Sequence, residues 1–202
     1  MPGSRAAWGT ISREQVVTTA TKIVKAGGFQ DMTIRSLAAE LGVAPMSLYS
    51  HVRDKDDILD EVVDHLLTRA WRPSASTDDW EEWITQAADK LRRFLVSQPA
   101  ALHVYLRHPV VSPAAVARMD AMMEVLRTSL GDEESAKRAY ATIHTYTVGF
   151  AALEASRSRW TPTDVEPIGL AVELATYTTP QKFGEGLENL IRGLHHGGMK
   201  SR

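Results

Sequence analysis

Five carboxylates crowd one short segment, and they are the first residues whose type and spacing could support chemistry. Asp56, Asp60 and Asp64 recur at four-residue intervals and so share one helical face, with Asp57 and Glu61 beside them. A helical enzyme can use such carboxylates to hold Mg²⁺. Acidic residues in the first turns of a helix also stabilise its dipole without any ligand. One interpretation is therefore an all-helical metal-dependent enzyme that uses Asp56, Asp60 and Asp64.

Other enzyme motifs are missing from the sequence. It contains no glycine-rich phosphate loop, no Gly-x-Ser-x-Gly segment and no His-Glu-x-x-His segment. The absence of cysteine excludes disulfides, thiolate zinc sites, iron–sulfur clusters and a cysteine nucleophile. The spacing of His103 and His108 does not place them on one helical face, and hydrogen-bonded or surface roles are favoured for them and for His144. We therefore expect no metal, no cofactor and no enzymatic activity.

The charge of the chain is distributed unevenly along its 202 residues. The net charge is −2, but residues 1–55 carry seven basic and four acidic side chains, whereas residues 56–202 carry 16 basic and 21 acidic ones. A head (residues 1–55) of net charge +3 before a body of −5 indicates contact with nucleic acid. No apolar run is long enough to span a membrane, and no apolar signal segment opens the chain. We expect a cytoplasmic protein without membrane contact.

Residues 34–52 satisfy the steric requirements of a helix-turn-helix motif. Two closely crossing helices need a small residue at the crossing, here Ala38, and a turn residue that tolerates positive φ, here Gly42. Apolar side chains flank both positions, namely Leu37, Leu41, Val43, Leu48 and Val52. The alternative is a helical hairpin inside an ordinary all-α domain. The basic charge of the head favours DNA binding.

Helical periodicity continues through the chain, and alternating strand patterns are nearly absent. The residues predicted to begin or end the first four helices are Ser12 with Gln15, Gly27, Gly28, Thr33, Gly42, Pro45 and Asp54. The third helix, which Pro45 begins, should last about two turns. Further helices are predicted over residues 80–96, 99–107, 113–130, 133–159, 168–177 and 180–196. The fold class is therefore all-α.

A recognisable pattern runs through the head and into the fourth predicted helix. It consists of Phe29, Thr33, Arg35, segments 37–43 and 48–52, Lys55, Ile58 and Leu59. With these residues the chain resembles the tetracycline-repressor-like (TetR) family of transcriptional regulators, closely over residues 12–66 and through helix order over residues 80–196. The resemblance implies a three-helix DNA-binding domain, residues 1–55, followed by a larger helical domain that senses ligand and dimerises, residues 56–202. Residues 56–73 would form the connecting helix.

The resemblance implies that the third helix enters the DNA major groove. Leu48 and Val52 must face the core, so the other side chains of this helix face outward. The candidate DNA-contacting residues are Thr33, Arg35, Ala44, Pro45, Met46, Ser47, Tyr49, His51 and Lys55. Simpler roles stay open for some of them. Thr33 could only cap a helix, Tyr49 could only pack on the first helix, and Arg35 could be a solvated charge.

The resemblance also implies a small-molecule effector inside the C-terminal helical domain. Ligand pockets are mostly apolar with a few placed polar groups, and methionine adapts its shape to bulky ligands. The candidate ligand-binding residues are Trp83, Leu91, Tyr105, Met119, Met122, Met123, His144 and Thr147. The alternative is that these side chains form an ordinary core.

A homodimer follows from the same resemblance. One helix-turn-helix contacts only a few base pairs, whereas two of them one DNA turn apart contact a palindrome. The implied interface combines residues 133–159 with residues 180–196, and burial within one subunit is the alternative. We therefore predict a repressor that binds a palindromic operator in double-stranded DNA as a homodimer. A small apolar or aromatic molecule would release it.

Overall fold

The secondary structure of the chain is helical. The computed structural model describes residues 11–70, 79–107, 113–157, 173 and 176–198, and contains no strand within them. The helices of this part are α1 (Arg13–Gly27), α2 (Ile34–Leu41), α3 (Pro45–Leu48), α4 (Lys55–Ala70), α5 (Trp80–Ser97), α6 (Pro99–Arg107), α7 (Pro113–Leu130), α8 (Glu133–Arg157) and α9 (Pro180–Gly198). The predicted all-α fold is confirmed. The helix predicted over residues 168–177 lies largely outside the described residues.

The chain divides into two compact units, Met1–Leu66 and Leu67–Arg202. The division falls within α4, whereas the domain boundary predicted from the sequence precedes this helix. Most of the predicted connecting helix therefore belongs to the first unit. No helix in the described part of the chain is both long and apolar enough to cross a bilayer.

Local hydrogen bonds determine where the helices of the first unit begin and end. The Ser12 hydroxyl accepts a bond from the Gln15 N–H at 3.2 Å, and the Gln15 side chain accepts one from the Ser12 N–H at 2.8 Å, as in a capping box. The Thr33 hydroxyl caps α2 by accepting a bond from the Ser36 N–H at 3.0 Å. Gly42 ends α2 with φ of +68°, a left-handed conformation that glycine adopts without a Cβ penalty.

Helix α3 has a single turn, which corrects the prediction of about two turns. The N–H groups of Tyr49 and His51 bond to carbonyls three residues earlier, at 3.3 and 2.9 Å, in the tighter 3₁₀ pattern that commonly closes a helix. Leu48 and Val52 still face inward as expected, since they are 0% and 3% exposed. The other buried residues of this unit include Val16, Ala20, Met32, Leu37 and Ala38.

The core of the second unit lies among α5, α7, α8 and α9. The side chains that form it include Trp83, Ile84, Leu126, Ile143, Phe183 and Leu187. Phe183 of α9 stacks on Tyr146 of α8 with ring centroids 5.4 Å apart, and the Tyr146 hydroxyl donates to the Phe183 carbonyl at 3.1 Å. Apolar burial is the main stabilising contribution, and the aromatic stack sets the position of α9 on α8.

A buried charge cluster joins α5 to α8. Arg92 is 3% exposed, and its guanidinium donates to Glu154 at 2.7 Å and to Asp89 at 2.8 Å. The guanidinium carbon also lies 5.2 Å from the centre of the Phe183 ring. A buried charge is tolerated when it is paired and hydrogen-bonded, so the two carboxylates allow Arg92 to occupy this position.

We expect the substitution Glu154→Gln to lower the free energy of unfolding by about 3 kcal/mol, because it leaves a buried arginine incompletely paired. The matched control is Glu188→Gln, which removes a carboxylate 3.8 Å from Arg192 in an exposed pair on α9. That change should cost less than about 0.5 kcal/mol. Urea denaturation followed by circular dichroism measures both effects. Equal midpoints for the two variants would contradict a stabilising role for the buried cluster.

Candidate functional site

The outward surface of α3 and its flanks carries the residues predicted to contact DNA. Met46 is 75% exposed and Tyr49 is 47% exposed, although both are large and largely apolar. The other exposed candidates are Thr33, Arg35, Ala44 and Pro45, while Ser47, His51 and Lys55 are half-buried. Thr33 does cap α2, as the simpler interpretation proposed. The half-exposed Tyr49 is not enclosed by packing on α1.

Arg13 holds the C-terminal end of α3 in place. Its guanidinium donates to the His51 carbonyl at 2.6 Å, to Asp57 at 3.0 Å and to Glu61 at 2.6 Å, and so joins α1 to the end of α3 and to α4. The sequence analysis missed this role, since Arg13 was only one of seven basic residues in the head. A conspicuous but unspecific signal was the pair Asp57 and Glu61, one helical turn apart.

Asp57 has a structural role in this network. Burial opposes its ionisation, but hydrogen bonds from the Arg53 backbone and from Arg13 outweigh burial and lower the pKa of the Asp57 carboxyl. Asp57 also lies beside Asp54, whose side chain accepts the Asp57 N–H at 2.8 Å and so starts α4 as predicted. The carboxylate is therefore ionised and occupied by protein donors at neutral pH.

The acidic residues of α4 do not form a metal site. No group of three or more histidine, cysteine, aspartate or glutamate residues in the described part of the chain could hold a metal ion. Asp64, the third member of the face with Asp56 and Asp60, is buried and 6% exposed. The proposed Mg²⁺ site at Asp56, Asp60 and Asp64 therefore has no support from the geometry.

The second unit encloses a mostly apolar cavity of about 200 Å³. Six of the eight candidate ligand-binding residues line it, namely Leu91, Tyr105, Met119, Met122, His144 and Thr147. Residues that the sequence analysis did not single out complete the wall, namely Leu67, Ala87, Ala88, Ala115, Val116, Arg118, Tyr140 and Ile143. The small alanines leave space between α5 and α7, and the larger side chains project from α7 and α8.

The other two candidates, Trp83 and Met123, do not line the cavity. They are 7% and 9% exposed and pack in the apolar core among α5, α7, α8 and α9. Neighbouring residues of a helix point about 100° apart. Met123 therefore faces the core while Met122 faces the cavity. For these two residues the simpler interpretation, an ordinary core position, is the one the structure supports.

Three rings form the polar part of the cavity wall. The Tyr105 hydroxyl and the His144 Nε2 atom lie 2.8 Å apart in a hydrogen bond, and Tyr140 stacks on His144 with centroids 5.5 Å apart. Burial lowers the pKa of His144, so its imidazole is neutral at neutral pH. Burial raises the pKa of Tyr140, and the positive charge of Arg118 partly opposes that increase. The ring cluster is thus uncharged.

A helix-turn-helix unit followed by a helical unit with an internal cavity defines a class of DNA-binding regulator. The family model described as "Tetracyclin repressor-like, C-terminal domain" matches residues 72–196, and that described as "Bacterial regulatory proteins, tetR family" matches residues 16–62. The chain belongs to the TetR family of bacterial regulatory proteins. The predicted family is confirmed.

Several similar proteins have names that describe regulators. A transcriptional regulator from Saccharopolyspora erythraea is 27% identical over 71% of this chain and 61% of its own length. The transcriptional repressor DrrR1 from Streptomyces coeruleorubidus is 29% identical over 70% of this chain and 53% of its own length. The chain thus spans less than two thirds of these two relatives. The class C tetracycline repressor from Escherichia coli is 30% identical over 73% of this chain and 68% of its own length.

A solved structure shares the fold over nearly the whole chain. ActR from Streptomyces coelicolor, crystallised in complex with actinorhodin, superposes with a TM-score of 0.75 at 25% identity, covering 96% of this chain and 100% of that one. None of the similar proteins named here is described as an enzyme. The alternative of a metal-dependent enzyme is therefore not supported.

We expect Arg13→Gln to lower the free energy of unfolding by about 1 kcal/mol, because Asp57, Glu61 and the His51 carbonyl lose a charged donor. The control is Arg53→Gln, since the Arg53 side chain is 82% exposed and reaches the same Asp57 at 3.4 Å. The control should change stability by less than about 0.5 kcal/mol. Urea denaturation and hydrogen exchange of the 48–52 amides report the two effects. Unchanged exchange in Arg13→Gln would show that Arg13 does not hold α3.

We expect His144→Gln to weaken the dependence of stability on pH. The folded-state pKa of His144 lies below its usual value near 6.5, so the stability contributed by the neutral ring is complete above that value. It is lost as pH falls through the folded-state pKa. Glutamine can keep the hydrogen bond to Tyr105 without taking up a proton. Melting temperatures measured between about pH 8 and pH 5 should fall less in the variant than in the unmodified protein. Parallel curves would contradict this role.

Proposed function

We propose that this chain is a transcriptional repressor that binds a palindromic operator as a homodimer and is released by a small molecule. The observation that carries the proposal is the outward surface of α3, where apolar and aromatic side chains are exposed in a helix-turn-helix. Solvent alone gives no reason to expose Met46 and Tyr49 side by side on a helix of one turn. A cytoplasmic location, where the operator would be, follows from this function.

Each candidate on this surface suits a particular contact. Pro45 and Met46 are apolar and suit the methyl group of thymine, while Ser47 can bond a base or a phosphate. Tyr49 and His51 suit the sugar-phosphate backbone, and such contacts set the position of the helix along the groove.

Helix beginnings supply the remaining contacts. Thr33 and Lys55 lie at the N-termini of α2 and α4, where backbone N–H groups favour a phosphate. Arg35, exposed in the first turn of α2, can bond a guanine edge through two donors or a phosphate through one. These contacts complete a surface that combines phosphate binding with base recognition.

The homodimer is proposed to form through α8 and α9, over residues 133–159 and 180–196. Leu153 of α8 is 53% exposed, and Gly149, one turn before it, would let a second helix approach closely. On α9, Leu190 and Leu194 are only partly covered within the chain. A second copy packed on these surfaces would cover them and would place two α3 helices on one palindrome.

Release by a ligand is proposed to act through the cavity. Leu67, in the C-terminal part of α4, lines the cavity, and the same helix carries the Asp57 and Glu61 partners of Arg13 near its start. A ligand that tilts α4 would change the setting of α3. It can do so only if it binds the released state more tightly than the DNA-bound state. The complex of ActR with actinorhodin supports the cavity as the effector site.

We expect Tyr49→Ala to weaken operator binding about tenfold, because a buried contact of an aromatic side chain is worth about 1.4 kcal/mol or more. The matched control is Tyr177→Ala, since Tyr177 is 58% exposed in the second unit. Fluorescence anisotropy with labelled DNA from upstream of the coding sequence measures the affinity. The control should bind as the unmodified protein does.

Two results would contradict the proposal. Unchanged affinity in Tyr49→Ala, with normal folding by circular dichroism, would mean that the outward surface of α3 does not contact the operator. A monomer mass by analytical ultracentrifugation at micromolar concentration would exclude the proposed homodimer.

A further inference from the structure

The size of the cavity limits the molecules that it can take. An engineered apolar cavity of about 150 Å³ binds benzene, and this cavity is about 200 Å³. Tyr140 and His144 form a flat wall on α8, while Met119 and Met122 of α7 supply flexible side chains. The dimensions and surfaces suit a flat molecule of two fused rings better than a long or branched one.

The wall carries a positive charge and no negative one. Arg118 lies in it, and no aspartate or glutamate does among the residues that the structure describes there. The Tyr105–His144 pair is neutral because burial lowers the pKa of His144. The remaining lining residues are apolar apart from hydroxyl groups. An anion is therefore favoured over a cation by the charge of the wall.

Arg118 is positioned to act on a bound molecule. Its Nη1 atom donates to the Thr68 hydroxyl at 3.0 Å, which orients the guanidinium. A guanidinium has five N–H donors, so one that holds a hydroxyl can also receive a carboxylate. Its charge acts within the cavity, since it opposes the effect of burial on the pKa of Tyr140.

The geometry points to a planar aromatic acid as the molecule that this cavity takes, with its carboxylate or similar anionic group bonded to Arg118. The rings lie between the methionines of α7 and the Tyr140–His144 wall. The inference rests on the proposed function, which makes the cavity the effector site, and adds the chemical class of the effector.

The test uses two ligands of nearly the same shape, 2-naphthoate and 2-naphthamide, of which only the first is charged at neutral pH. Isothermal titration calorimetry on the full chain should give roughly tenfold tighter binding of the carboxylate, because charge-assisted hydrogen bonds are about twice as strong as neutral ones. Arg118→Gln should abolish this preference, and Arg118→Lys, which keeps the charge, should retain part of it. Melting curves check that both variants fold.

Equal binding of the acid and the amide to the unmodified protein would overturn the inference, and so would binding of neither. A preference that survives in Arg118→Gln would also overturn it, since another group would then select the anion. Operator release is measured separately by anisotropy. Arg118-dependent binding of naphthoate without release would uphold the ligand class and contradict ligand-induced release. Release by naphthamide as effective as by naphthoate would do the reverse.

Discussion

The first unit depends on how a helix of one turn is held while its outer surface stays exposed. A single turn makes too few backbone hydrogen bonds to be stable by itself. Leu48 anchors α3 in the core from one side, Gly42 turns the chain into it, and Arg13 bonds the carbonyl of His51 just beyond its end. Every proposed base contact lies between these attachments. The surface proposed to bind DNA is therefore only as rigid as the packing behind it.

The same division of a helix between two surroundings appears in the second unit. On α7, Met123 belongs to the core and Met122 to the cavity, so one helix both stabilises the unit and shapes the site. Core packing has little tolerance for change in volume, whereas methionines beside a cavity can adopt other rotamers. The rigid side of α7 thereby fixes where its flexible side can act.

Charge also has different uses in different parts of the chain. The acidic excess after residue 55 includes Asp57 and Glu61, whose partner is Arg13, and Asp89 and Glu154, whose partner is Arg92. These carboxylates stabilise the packing of helices and so are not available as a catalytic cluster. Segregating these acids from the outer surface of α3 leaves that surface free of negative charge that would repel phosphate.

Local patterns suffice to predict most of the helices, their caps and the family. The Ser12 and Thr33 caps and the Gly42 turn involve residues within a few positions of each other, so their geometry follows from the order of side chains. The length of α3 was less predictable, because it depends on hydrogen bonds just past its end. Tertiary structure alone decided the role of Arg13, whose partner Asp57 lies 44 residues along the chain. It also decided which methionine and which aromatic residues line the cavity, because a helix's rotation about its axis is set by the helices packed against it.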